Sequence, residues 1–341
     1  MLTAWGRRLA SRHSQAWRAY GRPLATTSMI EDVVAHATRS YASRVAVAGQ
    51  IRRCLSRPVA SVLDPDVRAI VSRLPELDPG ATTWLVHTRP TQRLVVHELA
   101  GSGELLSVVK FGGRDDPGLH REAAVLSALA PNSSLCSEHR VSLAVPELLA
   151  VSRDEAGLAL RTRLNLSGLK KPPYAWTNAV LGRLAEVIKT LRGLLAARCS
   201  LSPRTDSSAW AAAETIRGEG GAPGHGDFTP WNLFFLDAAL DVKVAVIDFE
   251  ETGIWPTWWD GARLLATAVT EGRIRRSRVG FAVEKLGLHR HELLEYVETQ
   301  RRMQSTQPPT PQVRHSGSVV PGWLLDERMW DRIDAAKRRR E

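Results

Sequence analysis

Hydrophobic and polar positions alternate in three short runs in the first half of the chain, at residues 83–88, 92–98 and 105–111. Alternation with a period of two is typical of β-strands that bury one face. A Gly-Ser-Gly turn at 101–103 separates the second run from the third, which favours an antiparallel meander. The pattern therefore predicts a small antiparallel sheet of at least three strands.

Other segments have the three-and-four spacing of apolar residues that predicts amphipathic helices. The clearest is 181–198, and 118–130 is a second, beginning at a glycine and ending before a proline. Two shorter helices are expected at 207–217 and 323–337, and residues 145–164 indicate two strands around a turn. The chain thus combines a strand-rich first part with a mainly helical second part.

A further pair of apolar runs, separated by a polar turn, predicts a β-hairpin near residue 240. If Leu236 lies opposite Val242, the pairing places Asn232 opposite Val246, which is within two residues of Asp248. The hairpin alone is therefore expected to bring an amide oxygen and a carboxylate to the same end of a sheet.

The net charge of +10 over 341 residues raises the question of a nucleic-acid or membrane partner. The charge is concentrated at the ends, because residues 1–60 hold ten arginines against two acidic residues and the chain ends in Lys-Arg-Arg-Arg-Glu. The body is close to neutral, so we expect no nucleic-acid partner and interpret the basic tail as solvated. No run approaches the ~20 apolar residues that a membrane span needs.

Three scattered cysteines, Cys54, Cys136 and Cys199, form no Cys-x-x-Cys pair. They predict neither a disulfide framework nor a structural zinc site, and a cytoplasmic location is the default. The arginine-rich, acid-free first 22 residues are also compatible with an organelle transit peptide, but a basic extension is the simpler interpretation.

Candidate chemistry is concentrated at residues 225–250. Magnesium prefers hard oxygen ligands and usually takes one or two carboxylates from a protein, which Asp248 and Asn232 would supply. Asp227, just upstream, would accept a proton from a hydroxyl group. Such a convergence fits phosphoryl transfer, in which the protein mainly positions the reactants and stabilises charge. The other interpretation is a polar hairpin with capping aspartates.

The motif HGDFTPWN at 225–232, followed by VIDFE at 246–250, resembles the signature of the aminoglycoside phosphotransferase and choline kinase family. The resemblance implies that Asp227 is the catalytic base, that Asn232 and Asp248 are metal ligands and that His225 supports the loop. It also implies that ATP and Mg²⁺ are the cofactors and that the acceptor is a small hydroxylated molecule. Two further family-like residues are Glu250, after Asp-Phe, and Asp260, which would brace the catalytic loop.

The fold implied is α+β, a bilobal protein-kinase-like fold with a small antiparallel-sheet N-lobe, a larger and mostly helical C-lobe, and a helical N-terminal extension. The expected divisions are the basic, partly helical extension 1–78, the nucleotide-binding N-lobe 79–165, the catalytic and acceptor-binding C-lobe 166–303, and a linker with a short C-terminal helix at 304–341.

A kinase-like N-lobe needs a lysine on its third strand and a glutamate on the next helix to hold the nucleotide phosphates. Lys110 ends the third run, and Glu122 lies on the inward face of the helix that follows. The loop expected to cover the nucleotide, residues 87–92, reads HTRPTQ and has no glycine, although Thr88 or Thr91 could contribute hydroxyl groups. Nucleotide binding is the part of the prediction that this loop puts in question.

Two functions remain open from the sequence. The first is an ATP- and Mg²⁺-dependent phosphotransferase acting on an aminoglycoside-, sugar- or choline-like hydroxyl. The second is a catalytically weak or inactive kinase-like binding or regulatory protein, which the glycine-free loop and the long basic extension favour. Two side-chain clusters could contribute to acceptor binding. One is formed by Trp255, Trp258 and Trp259, which we expect to pack in the core, and the other by Glu292, Glu295 and Glu298, which we expect to be solvated. The sequence predicts no oligomeric state.

Overall fold

The computed structural model describes residues 17–24, 41–74, 80–88, 93–129, 135–136, 141–164, 169–170, 175–199, 221–237, 242–306 and 320–339. Among these residues the strands, in chain order, are β1 (Arg18–Gly21), β2 (Ala81–Thr88), β3 (Leu94–Ala100), β4 (Leu105–Gly112), β5 (Leu135–Cys136), β6 (Val141–Ala144), β7 (Glu147–Asp154), β8 (Gly157–Arg163), β9 (Leu169–Lys170), β10 (Ala222–Gly224), β11 (Leu233–Asp237), β12 (Val242–Val246) and β13 (Gly253–Trp255). The helices are α1 (Tyr41–Ser56), α2 (Pro65–Val71), α3 (Pro117–Leu129), α4 (Asn178–Arg198), α5 (Trp259–Thr270), α6 (Val279–Leu286), α7 (Arg290–Thr306) and α8 (Glu327–Arg338).

The N-lobe is an antiparallel sheet with the strand order β1-β2-β3-β4-β8-β7. The predicted meander forms β2 to β4, and the predicted pair around 154–157 forms β7 and β8. The α+β, protein-kinase-like fold class expected from the sequence is confirmed. Lys110 lies opposite Val95 on β3 and Leu160 on β8, so its side chain shares a face with both.

The N-terminal extension contributes to the N-lobe, which the sequence did not indicate. Its strand β1 pairs antiparallel with β2, so it extends the sheet at one edge. Helix α2 covers one face through the buried side chains of Val67 and Ile70, and α1 packs Ile51 and Leu55 on a separate cluster with Leu85. The two described parts of the extension, residues 17–24 and 41–74, therefore both pack on the N-lobe sheet.

Local signals explain where these helices begin. Asp64 precedes α2 and its carboxylate accepts the backbone N–H groups of Asp66 and Val67, while Pro65 occupies the first turn, where its missing N–H costs nothing. Thr177 caps α4 in the same way by accepting from the backbone N–H of Val180. Each cap satisfies donors that a helix start otherwise leaves unpaired.

A second sheet, ordered β5-β6-β12-β11-β9, carries the predicted hairpin as β11 and β12. The predicted register is wrong by one residue, because Leu236 lies opposite Lys243 and Leu233 opposite Val246. The last pair before the turn is Asp237 with Val242, whereas the prediction paired Leu236 with Val242. The connection between the two strands is therefore one residue shorter than the prediction assumed. The residue before β11, Asn232, therefore lies in a 3₁₀ turn, where its carbonyl accepts the backbone N–H of Ile247.

The C-lobe core brings α4, α5, α6 and α7 together around fully buried aromatic side chains such as Trp176, Phe228 and Trp259. The helix predicted at 181–198 is observed as α4, and the closing helix predicted at 323–337 begins four residues later, at Glu327. The helix expected at 207–217 lies outside the described residues, as do residues 89–92 of the glycine-free loop and most of the expected linker. None of the described helices has the length and apolar character needed to cross a membrane.

Candidate active site

The loop that begins at His225 is held by the first turn of α5. Both carboxylate oxygens of Asp260 accept backbone N–H groups, from His225 and from Gly226, each at 2.9 Å. The indole N–H of Trp259 donates to the carbonyl of Gly226 at 3.0 Å, and the His225 imidazole contacts the carbonyl of Ile247 at 3.0 Å. These four buried hydrogen bonds connect the loop to α5 and to the end of β12.

Gly226 is required at its position for a geometric reason. Its φ of +78° lies in the left-handed region, and a Cβ there would lie 2.3 Å from the carbonyl oxygen of Glu251. The tight approach turns the chain so that Asp227 follows directly after the anchored His225–Gly226 pair.

Both oxygens of the Asp227 carboxylate have partners. Its Oδ1 accepts from Nε and Nη2 of Arg263, at 2.7 and 2.5 Å, and its Oδ2 accepts from the side-chain amide of Asn232 at 3.0 Å. Arg263 lies one turn after Asp260 on α5, so a single helix positions both the loop and its carboxylate. The sequence did not single out Arg263; its spacing of three from Asp260 on one helix was the available signal.

On the opposite side of the site, Lys110 connects the N-lobe to Asp248. Its ammonium group lies 2.7 Å from both carboxylate oxygens of Glu122 on α3 and 2.7 Å from Oδ1 of Asp248. All three side chains are buried. Asp248 follows β12 with φ of 70°, the one non-glycine positive φ in the described part of the chain. Such a conformation is uncommon for a non-glycine residue and is found preferentially at functional sites.

A second buried ion-pair group surrounds Glu250. Arg93, just before β3, donates Nη1 to the Glu250 carboxylate and uses Nε and Nη2 for a two-point bond to Asp116, both at 2.6 Å. Arg121 on α3 donates to the backbone carbonyl of Glu250 at 2.6 Å. Arg93 was not predicted either, because nothing in the sequence marks one arginine among so many.

The charges in the site alter its proton affinities. Burial raises the pKa of Glu122 above its usual value, and the nearby Asp248 and Glu250 add to this while Lys110 acts against it. Burial alone would lower the pKa of Arg263, but Asp227, Tyr296 and Glu251 together raise it above its usual value. Burial likewise raises the pKa of Tyr296, which lies beside Arg263.

The oxygen atoms available for a cation lie on the Asp248 side of the site. Carboxylate oxygens of Glu122, Asp248 and Glu250 approach to within 4.8 Å of one another, and hard oxygen donors at this spacing suit Mg²⁺. The predicted ligand Asn232 directs its amide nitrogen to Asp227, which leaves its amide oxygen as the possible donor atom. The donor set of the described residues is therefore compatible with the expected metal, with Glu250 as an additional candidate ligand.

The tryptophan cluster belongs to the core. Trp255 and Trp259 stack with ring centroids 4.6 Å apart, and both are buried in the C-lobe cluster. Trp258 tilts against Trp259 at 5.9 Å. The packing role expected from the sequence therefore accounts for these side chains.

Comparisons with known proteins give one family match and several similar solved structures. Residues 221–296 match the model of the phosphotransferase enzyme family. The resemblance to this family is confirmed. The matched segment contains His225, Asp227, Asp248 and Arg263. A search of curated protein sequences found no significant match. The family match supports a small-molecule phosphotransferase.

Three solved structures illustrate what this chain is similar to. An aminoglycoside-3′-phosphotransferase of type VIII superposes with a TM-score of 0.50 at 18% identity, covering 70% of this chain and 96% of that chain. An aminoglycoside phosphotransferase from Streptomyces rimosus gives 0.46 at 18% identity, covering 71% and 99%. A choline kinase from Streptococcus pneumoniae gives 0.40 at 10% identity, covering 77% and 91%. At such identities the first likeness shows the fold alone.

Proposed function

We propose that the protein is an ATP- and Mg²⁺-dependent phosphotransferase that moves the terminal phosphoryl group of ATP to a hydroxyl group of a small molecule. The observation that supports this most is the convergence of two groups of side chains on Asp248 and on Asp227. Lys110, which is paired with Glu122, reaches Asp248 from the N-lobe, and Asn232 and Arg263 reach Asp227 from the C-lobe.

In this proposal Asp227 orients the acceptor hydroxyl and takes its proton on a carboxylate oxygen as the new oxygen–phosphorus bond forms. The bond between the terminal phosphorus and the bridging oxygen of ADP breaks in the same displacement. Arg263 and Asn232 hold the Asp227 carboxylate in one orientation, and His225 holds the loop through its contact with the Ile247 carbonyl. Their shared task is positioning, which can account for a large part of the rate.

Lys110 would bind phosphate oxygens of ATP while Glu122 keeps the ammonium group in place. Asp248 and the amide oxygen of Asn232 would hold Mg²⁺, with Glu250 within reach of the same position. The bound ion would neutralise charge on the phosphates during transfer. Burial of Lys110 and Asp248 strengthens these electrostatic interactions because little water is present to screen them.

The test is ADP release from Mg-ATP over a panel of sugars, amino alcohols and aminoglycosides. We expect at least one acceptor to stimulate release, and Asp227→Asn to lower the stimulated rate by about 10²–10⁴-fold. Asp248→Asn should abolish it. Asp331→Asn changes an exposed residue of α8 and is the matched control. An unchanged rate in the Asp227 variant would exclude the proposed base.

The non-catalytic alternative keeps one supporting observation, the glycine-free sequence of residues 87–92. A loop with Arg-Pro at its centre cannot offer the open backbone amides of a glycine-rich phosphate-binding loop. Calorimetric titration with Mg-ATP separates the two functions. Absence of heat and of a thermal shift at millimolar nucleotide would favour the regulatory protein.

A further inference from the structure

Arg93 directly follows, in sequence, the loop expected to cover the nucleotide, and it contacts a carboxylate of the expected metal site. It is the first described residue after 89–92, and β3 begins at the next residue. Its side chain is 10% exposed, so the guanidinium group is largely withdrawn from water. A buried arginine must be paired, so the partners of Arg93 indicate its role.

The two edges of the guanidinium group have different partners. Nε and Nη2 form a planar two-point bond with the Asp116 carboxylate, at 2.6 Å each, which fixes the group in position. The remaining arm, Nη1, donates to Glu250. Glu250 belongs to the set of three carboxylates that approach to within 4.8 Å, so this arm lies one hydrogen bond from the expected metal position. Asp116 thus anchors Arg93, and Nη1 faces the site.

The start of α3 is adapted to this guanidinium group. A Cβ at Gly118 would lie 2.4 Å from Nη2 of Arg93, so the glycine provides the space in which the group sits. A cation at a helix N-terminus is disfavoured by the helix dipole. Asp116 offsets this, since its carboxylate also accepts the backbone N–H of Leu119 at 3.1 Å. Arg93 is therefore held where its charge is intrinsically unfavourable, by a carboxylate that serves both the helix and the arginine.

Arg93 brings a cation to Glu250 at this point of the site. Terminal phosphates of a nucleotide bring several negative charges next to Asp248 and Glu250, and the loop at 87–92 has no glycine to receive them. The planar fork of an arginine binds phosphate oxygens well.

We propose that Arg93 binds the terminal phosphates of ATP through Nη1, and so replaces the backbone amides that a glycine-rich loop would supply. On nucleotide binding, Nη1 exchanges the Glu250 carboxylate for a phosphate oxygen while the Asp116 bond is kept. Glu250 is thereby released toward the metal. The inference rests on the proposed function, because it names a further residue of the same nucleotide site.

The experiment measures the dissociation constants of Mg-ATP, Mg-ADP and AMP by calorimetry, for the wild type and four variants. Arg93→Met removes the charge, Arg93→Lys keeps the charge without the fork, and Gly118→Ala displaces the guanidinium group without changing any charge. Arg153→Met is the matched control. Arg153 forms an exposed ion pair with Asp115, the residue that precedes Asp116. Urea unfolding of each variant shows whether it is folded.

We expect Arg93→Met to weaken Mg-ATP by about tenfold or more and AMP hardly at all, because only the terminal phosphates lose a charge-assisted hydrogen bond. Gly118→Ala should also weaken the binding of Mg-ATP more than that of AMP, but by a smaller factor. The Arg153 variant should bind both like the wild type. If Arg93→Met does not fold, the Lys and Gly118→Ala variants decide the outcome.

Equal losses for ATP and AMP would show that Arg93 only supports the structure and would overturn the proposal. Unchanged ATP binding in Arg93→Met would overturn it as well, while the proposed function would stand if the wild type still bound Mg-ATP. A wild type that binds no Mg-ATP at millimolar concentration would overturn both.

Discussion

Replacing Lys110 by methionine should destabilise the protein in a pH-dependent manner. The ammonium group of Lys110 is the cation between Glu122 and Asp248, at 2.7 Å from each. Methionine fills a similar volume but carries no charge, so both carboxylates lose this partner while they remain buried. Removal of one partner from a buried ion pair typically costs about 3–5 kcal/mol, and we expect a loss of about that size at neutral pH.

The pH dependence follows from Glu122. Burial already raises its pKa in the folded protein, and Lys110 acts in the opposite direction. A carboxyl group with a raised pKa binds more protons folded than unfolded, so its contribution makes stability fall as the pH rises above the ordinary value of 4.5. Without Lys110 the pKa rises further. The loss in free energy of unfolding should therefore be larger at pH 8 than at pH 5.5.

Urea unfolding at these two pH values, followed by tryptophan fluorescence and with a chelator present, measures the effect. The double variant Lys110→Met/Glu122→Gln should recover part of the stability at pH 8, because one of the two stranded carboxylates is gone. Lys189→Met removes an exposed pair with Glu186 and should stay within about 0.5 kcal/mol of the wild type. Equal losses at both pH values, or no recovery in the double variant, would refute the reasoning.

Three further substitutions test the loop around Asp227. Asp260→Asn leaves one of two buried backbone N–H groups without an acceptor and should cost about 1–3 kcal/mol in urea unfolding; an unchanged midpoint would contradict the bracing role. Gly226→Ala introduces a Cβ 2.3 Å from a carbonyl oxygen and should lower both stability and ADP release, so wild-type values of both would speak against the tight approach. Arg263→Met should slow acceptor-stimulated ADP release more than Arg263→Lys does, because lysine keeps a charge beside Asp227; equal rates in the two variants would argue against this pairing.

Much of the fold was predictable because its signals are local. The strands β2 to β4 show alternation, α4 shows helical spacing, and the chain segment that matches the family model contains the contiguous motif at 225–232. The hairpin was predicted as an element but not in its register, since the register depends on how far the strands extend toward the turn. A shift of one residue reverses which side chains share a face, and the prediction placed Asn232 in the strand instead of the turn before it.

The parts that could not be predicted depend on contacts between distant residues. Strand β1 has four residues, Arg-Ala-Tyr-Gly, with too little alternation to be recognised, and it exists because the edge of β2 offers it hydrogen bonds. Arg93 and Glu250 are 157 positions apart, and Arg263 is 36 positions from Asp227. In an arginine-rich chain no local pattern separates Arg93 from the exposed arginines, and the spacing of three from Asp260 is the one local signal that marks Arg263. Only the folded arrangement shows that each is withdrawn from water beside a carboxylate.

A single electrostatic arrangement recurs around the candidate site. Lys110 forms ion pairs with both Glu122 and Asp248, and Arg93 forms them with both Asp116 and Glu250. Arg263 forms an ion pair with Asp227. Each cation offsets acidic groups that would be costly to bury unpaired. A nucleotide with its metal brings opposite charges in a similar arrangement, so its binding can exchange one set of ion pairs for another instead of creating new charge in a buried place. Because Lys110 and Arg93 would turn toward phosphate while Asp248 and Glu250 turn toward the metal, neither component should bind well without the other. The affinity for ATP should therefore depend steeply on Mg²⁺, and the affinity for Mg²⁺ should depend equally on ATP, as linkage requires.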